Sequence, residues 1–126
     1  MALFSQVFVF GANSHGQCLL PGMAIAVPTA ALLDWLPDGK HVLKTVAGYK
    51  FTLLLADDNQ LFAVGGNENG QLGRGHSNDN DPDNRVPRPV TGFGRERITQ
   101  IAAGYRHCAA LTEGGKLLLC SCGVGM

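Results

Sequence analysis

Polar and apolar residues alternate in short stretches along this chain, and the stretches come in matched pairs. His41-Val42-Leu43-Lys44-Thr45-Val46 mixes alternation with β-branched residues, and Phe51-Thr52-Leu53-Leu54-Leu55-Ala56 is a nearly continuous apolar run. The first pattern predicts a strand, and the second predicts a strand buried on both faces. Asp57-Asp58-Asn59 then predicts a hairpin turn into Gln60-Leu61-Phe62-Ala63-Val64, because Asn and Asp side chains bond their own backbone in turns. The succession returns downstream: a strand over residues 98–102, a reversal at Gly104-Tyr105-Arg106, a strand over 108–111, a turn at Glu113-Gly114-Gly115, and a returning strand over 116–120. Residues 1–10 are apolar, broken at Ser5-Gln6, free of a basic leader, and followed by the turn Gly11-Ala12-Asn13. They predict a strand and not a signal peptide. No apolar run approaches the ~20 residues of a membrane span. The one stretch that predicts a helix is 29–36, which is short and ends at Pro37-Asp38-Gly39.

Two blocks recur in register. Val9-Phe10-Gly11-Ala12-Asn13-Ser14-His15-Gly16-Gln17-Cys18 aligns with Ala63-Val64-Gly65-Gly66-Asn67-Glu68-Asn69-Gly70-Gln71-Leu72, at a spacing of 54 residues. Val46-Ala47-Gly48-Tyr49-Lys50-Phe51 aligns with Ala102-Ala103-Gly104-Tyr105-Arg106-His107 at a spacing of 56, as does Gln60-Leu61-Phe62 with Lys116-Leu117-Leu118. A fixed period of this size marks stacked supersecondary units, each needing its neighbours to bury its apolar faces. The first unit covers about residues 7–60, the second about 61–116, and the broken start of a third 117–126. The repeat gives its glycines structural roles. Gly48 and Gly104 stand where the chain reverses within a few residues. Gly65 and Gly70 bracket a loop leaving a strand, where the Asn67 side chain caps the turn; Gly11, Gly16 and Gly73 belong to the same set. Ala47, Ala102 and Ala103 suit the narrow inner end of a wedge-shaped blade.

Composition narrows the function classes. The chain has 126 residues, 45% of them hydrophobic and 16% charged, which is one domain of ordinary globular character. Ten basic and ten acidic residues give a formal net charge of zero, so no electrostatic case exists for nucleic acid or an anionic membrane as the main partner. The 17 glycines have no triplet period, which excludes collagen and implies many tight turns. Cys18, Cys108, Cys120 and Cys122 lack zinc-ribbon spacing, and His15, His41, His76 and His107 are scattered. They predict reduced, mostly buried thiols in a cytosolic protein and no metal site.

Three further motifs resolve into loops. Asn78-Asp79-Asn80-Asp81-Pro82-Asp83-Asn84 resembles the start of a calcium loop. An EF-hand counted from Asp79 would need Gly at 84 and Glu at 90, where this chain has Asn84 and Val90, so a solvated acidic loop is expected. Gly70-Gln71-Leu72-Gly73-Arg74-Gly75 fits neither phosphate-binding glycine pattern and reads as a turn. Arg85, Arg88, Arg95 and Arg97 flank two loops. They are either a solvated rim or anchors for an acidic partner surface, since Arg is enriched at interfaces. No catalytic triad or carboxylate pair assembles, so no enzyme activity and no cofactor is expected.

The blocks Phe10-Gly11-x-Asn13-x-x-Gly16-Gln17 and Val64-Gly65-x-Asn67-x-x-Gly70-Gln71-Leu72-Gly73-x-Gly75 resemble the repeat of the regulator of chromosome condensation family. So does Ile101-Ala102-Ala103-Gly104-Tyr105-Arg106-His107 with the apolar strand and glycine pair after it. Val86-Pro87-Arg88-Pro89-Val90 is similar to the segment that precedes the next strand in such repeats. The resemblance runs over about residues 7–120. This chain departs from the pattern at Cys18, where leucine is usual, at Phe51, where the second unit has His107, at Val64-Gly65, which lacks the usual tryptophan, and after Leu119, where the third copy collapses.

The resemblance implies an all-β chain forming a partial β-propeller of about two four-stranded blades, where a full ring has seven. It implies a protein–protein interaction module that binds through blade loops, with His107, Asp79, Asp81 and the rim arginines as the candidate contacts. A second implied reading is regulation of a small GTPase by guanine nucleotide exchange, which works by binding the nucleotide-free GTPase. A third is a truncated, non-functional fragment of a longer propeller, since two units leave apolar faces and strand edges to be covered by further blades or self-association. The compartment implied is cytoplasmic or nuclear.

Overall fold

The computed structural model describes residues 6–34, 40–90 and 95–120. These form three antiparallel sheets. The first pairs β1 (Phe8–Ala12) with β2 (Ala26–Leu32). The second runs β3 (Val42–Ala47), β4 (Phe51–Ala56), β5 (Leu61–Gly65) and β6 (Arg88–Pro89), in that order. The third runs β7 (Ile98–Ala103), β8 (Cys108–Thr112) and β9 (Leu117–Cys120). One short 3-10 turn, Pro82–Arg85, leads into β6.

Strand periodicity explains how the middle sheet is held. Successive side chains of a strand point to opposite faces. Phe51, Leu53, Leu55, Leu61 and Ala63 therefore share one face and pack with Ile98, Ile101, Cys108 and Ala110 of the third sheet. Leu54, Ala56, Phe62 and Val64 share the other face and pack with Leu19 and Leu33, with half-buried Val7 and Leu20 beside them. Burying each large side chain contributes about 1.5–3 kcal/mol. β4 needs apolar residues on both faces, which is why it reads as an unbroken run. It pairs with β5 from Phe51↔Gly65 to Leu55↔Leu61.

The sequence repeat and the sheets are out of phase. Residues 7–60 supply β1, β2, β3 and β4, and residues 61–116 supply β5 to β8. The breaks at 60/61 and 116/117 fall in hairpin turns, so each sequence unit contributes its first two strands to one sheet and its last two to the next. Every unit is thereby sewn across a sheet boundary.

The repeated loop is closed by the same side-chain hydrogen bonds in both copies. The Asn13 side-chain oxygen accepts from the Cys18 N–H at 2.9 Å, and Asn67 accepts from the Leu72 N–H at 3.2 Å. Gln17 accepts from the His15 N–H at 2.8 Å, and Gln71 from the Asn69 N–H at 2.9 Å. Asn13 and Asn67 are 2% and 0% exposed, so each buried amide has to find partners locally. Gly16 sits in this loop at φ +80°, and a Cβ there would lie 2.9 Å from the Arg85 Cα. Both the conformation and the close approach require glycine.

Bonds between sheets repeat as well. The Thr52 hydroxyl donates to the Gln17 carbonyl at 2.7 Å. Its counterpart, the Cys108 thiol, donates to the Gln71 carbonyl at 3.3 Å. Asn59 ties the middle sheet to the third by accepting from the Ile98 N–H at 2.7 Å and donating to the Glu96 carbonyl at 3.0 Å.

The helix expected over 29–36 is not formed. Residues 29–32 belong to β2, where Leu32 pairs with Phe8 and Ala31 with Val9. Alanine and leucine favour a helix locally, but Pro28, the third residue of β2, removes a donor and suits an edge strand. Trp35 and Leu36 lie outside the described residues. Within the short segment Val86-Pro87-Arg88-Pro89-Val90, Arg88–Pro89 forms the edge strand of the middle sheet, with Phe62 opposite Pro89 and Ala63 opposite Arg88.

Candidate protein-binding face

The sharp turns between β3 and β4 and between β7 and β8 stand side by side at one end of the sheets. At the first, the Phe51 ring covers Gly48, whose missing Cβ would lie 2.7 Å from the Gly104 carbonyl oxygen. Glycine is required here by close approach: the inner ends of two neighbouring sheets meet at this point. At the second turn the His107 ring covers Gly104 in the same way.

This crowding brings the next residue of each turn together. The Tyr49 and Tyr105 rings stack with centroids 4.2 Å apart and planes inclined by 9°. Lys50 places its ammonium 4.8 Å from the Tyr49 ring, and Arg106 its guanidinium 5.3 Å from the Tyr105 ring. Tyr49 and Tyr105 remain 43% and 56% exposed. Lys50 holds φ +66°, fixed by the Gly66 N–H, which donates to its carbonyl at 2.7 Å. A strained backbone persists only where its surroundings hold it. Glu68 approaches Arg106 at 3.7 Å from the neighbouring loop. Beside Tyr49 a cavity of about 460 Å³ opens, lined by Phe10, Ala12, Cys18, Gly48 and Thr52 among others. Burial pushes the Cys18 thiol up, which keeps it protonated and a poor nucleophile. The arrangement has the chemistry of a recognition surface: rigid aromatic area with cations at its rim.

The residues singled out in the sequence are distributed over several places. His107 is exposed and lies on this face. Arg95 and Arg97 are exposed but precede β7, at the opposite end of that strand from His107. Arg85 is turned inward, donating to the carbonyls of Ser14 at 2.6 Å and Asn13 at 3.2 Å, so it fastens the 3-10 turn to the first sheet's loop. Arg88 is held by Asp83 at 2.8 Å. That bond, with the charge of Arg88 behind it, holds the Asp83 carboxyl below the usual carboxylate range. Asp79 accepts from the Asn67 N–H at 2.6 Å and lies 3.6 Å from His15. Asp81 caps the 3-10 turn by accepting from the Asp83 N–H at 2.9 Å. The acidic loop thus spends oxygens of Asp79, Asp81 and Asp83 on the protein's own donors. Tyr49, Lys50, Tyr105 and Arg106 were not among the sequence candidates, although their recurrence at a spacing of 56 marked them as a pair.

Three sheets built from out-of-phase repeats, crowded at one inner end, define an arc of a β-propeller. The regulator of chromosome condensation repeat model matches residues 58–111, and a second model of the same repeat matches 42–71. Together they span more than half of the chain, which belongs to the regulator of chromosome condensation repeat family. The X-linked retinitis pigmentosa GTPase regulator of Mus musculus is 32% identical over 115 residues, covering 91% of this chain and 11% of that protein. The E3 ubiquitin-protein ligase HERC2 of Mus musculus is 32% identical over 108 residues, covering 86% of this chain and 2% of that protein. Yeast RCC1 (Prp20), solved bound to Kap60, superposes with a TM-score of 0.74 at 22% identity, covering 90% of this chain and 27% of that one. The chain therefore spans a small part of each relative.

Proposed function

We propose that this chain is a protein-binding module whose docking face is formed by the β3–β4 and β7–β8 turns. The observation that carries the reading is the exposed Tyr49–Tyr105 stack, bearing Lys50 and Arg106 at its edges. Tyrosine and arginine are the residues that most often dominate binding energy, because they offer large rigid contact area with a polar handle. The cations favour a partner segment that carries carboxylates beside an apolar or aromatic side chain. His107 extends the face. Exposed Arg95 and Arg97 lie at the far end of β7 and serve only a partner large enough to reach both ends.

The test is fluorescence polarisation with labelled peptides that combine acidic and aromatic residues. The intact chain is expected to bind, with affinity falling as salt rises. Changing Tyr49→Ala together with Tyr105→Ala is expected to weaken binding at least tenfold, about 1.4 kcal/mol, while circular dichroism stays unchanged. Equal binding by the double variant would overturn the assignment of this face.

A second reading is regulation of a small GTPase. It is favoured by a relative that is itself named a GTPase regulator and aligns with most of this chain. Accelerated release of a fluorescent nucleotide from any of a panel of small GTPases would support it. No acceleration across the panel would count against it.

A further inference from the structure

The tyrosine face carries an acid at its rim, where the middle and third sheets meet, and only the second repeat supplies it. Glu68 stands on the loop that leaves β5, and its carboxylate lies 3.7 Å from the Arg106 Nε. Both side chains are about half exposed. The loop is tied to the face by the Gly66 N–H, which donates to the Lys50 carbonyl at 2.7 Å. Around residue 68 the Asn67 and Gln71 side chains accept from the Leu72 and Asn69 N–H groups. The loop 54 residues earlier is closed by the same bonds and carries Ser14 at the matching place. Loop geometry therefore does not call for a carboxylate at this position. The cation, by contrast, is kept in both units, as Lys50 and Arg106. Among the described residues, Glu68 is the one carboxylate that forms an ion pair with either of them.

We propose that Glu68 is an internal competitor for Arg106, so that a partner carboxylate reaching this cation has to displace it. The inference rests on the docking face described under the proposed function and adds how that face is regulated. An arginine grips a carboxylate through two parallel N–H donors, and Glu68 stands at the edge that includes Nε. Exchange of one carboxylate for another at the same cation gains little, and it leaves Glu68 without its partner. An exposed ion pair is weak and screened by salt, so Glu68 can be displaced while the fold stays intact. It lowers affinity for acidic segments without abolishing it, and its influence is local to the Arg106 side of the face.

Fluorescence polarisation with one labelled peptide, two glutamates beside a tyrosine, tests this on the full chain and on Glu68→Gln, Arg106→Gln and the two together. Glu68→Gln is expected to bind about two- to fivefold tighter than the unaltered chain at low salt, with the gain shrinking as salt rises. In the Arg106→Gln chain the same change is expected to give no gain, because no cation is left to release. Glu113→Gln removes an equal charge from the β8–β9 turn, at the opposite end of the strands, and is expected to give no gain either. Glu68→Ser, which installs the first unit's own residue, repeats the test should Glu68→Gln lose its β-sheet circular dichroism. Binding by the unaltered chain with no gain from Glu68→Gln overturns the competitor. So does an equal gain from Glu113→Gln or in the Arg106→Gln background, since either reports net charge and not displacement at Arg106. A peptide that binds none of these chains, or binds equally well after Tyr49→Ala with Tyr105→Ala, overturns the docking face itself and the competitor with it.

Discussion

The turns at Gly48 and Gly104 share one plan and end differently. Each has a glycine roofed by the ring three residues later, and each closes with that glycine's N–H donating to the carbonyl of the roofing residue at 2.9 Å. Yet Phe51 is 0% exposed, while His107 is exposed. The local backbone does not account for this. Phe51 faces the third sheet, which covers it, whereas among the described residues nothing covers His107 on the third sheet. The repeat fixes geometry, and the presence of a covering sheet decides burial. A phenylalanine suits the covered position and a polar ring the open one.

The largest expected effect comes from emptying the covered position. Phe51→Ala removes a fully buried ring between two sheets and is expected to destabilise by about 3–5 kcal/mol. His107→Ala at the open position is expected to stay within about 0.5 kcal/mol. Paired urea melts measure both. Similar losses at the two sites would break the comparison by showing that His107 is covered in solution.

Filling the space under each ring gives the next effect. A methyl group at Gly48 meets the Phe51 ring and the Gly104 carbonyl oxygen, and neither has room to yield. Gly48→Ala is expected to cost about 1–3 kcal/mol as overpacking. A methyl group at Gly104 meets only the His107 ring among its nearest neighbours, an exposed side chain free to swing away. Gly104→Ala is expected to cost less than about 1 kcal/mol in the same melts.

These contrasts also explain what could be read from sequence. Most strands were legible because their signals are local: the turn at Asp57-Asp58-Asn59, the glycine reversals, and the spacing of 54 and 56 that ties the copies together. β2 was not, because alanine-rich residues 29–32 favour a helix until β1 supplies strand partners, and that pairing is not local. The candidate arginines failed to segregate for the same reason. Arg85 and Arg88 look equivalent in sequence, but only the fold brings the Ser14 and Asn13 carbonyls to Arg85 and leaves Arg88 on the surface with Asp83. The Tyr49–Tyr105 stack was half legible. The recurrence was plain, but contact between residues 56 apart depends on neighbouring sheets converging at their inner ends.

The smallest effect lies at the other end of the same strands, where the copies again differ. The Asp57 N–H donates to the His41 carbonyl at 2.8 Å, and the Glu113 N–H donates to the Arg97 carbonyl at 2.8 Å. Only the first pair adds a side-chain bond, His41 Nδ1 to Asp57 at 3.1 Å; among the described residues no ion pair joins Arg97 to Glu113. Hydrogen bonds from His41, its backbone first and its ring after, hold the Asp57 carboxyl below the usual carboxylate range. A carboxyl group with a lowered folded-state pKa stabilises the fold above the unfolded value, near 3.9 for aspartate. That contribution disappears as pH falls through the lower folded value. Asp57→Asn is therefore expected to lower the melting temperature slightly at neutral pH and to flatten its decline in acid, because the substituted side chain has no charge left to lose. Glu113→Gln keeps the backbone bond, which is the described contact of that pair, and is expected to leave the neutral melt nearly unchanged. Melts from neutral to acid pH for both variants decide it: a flattened acid limb in neither would mean that the His41–Asp57 bond, exposed to water, contributes nothing measurable.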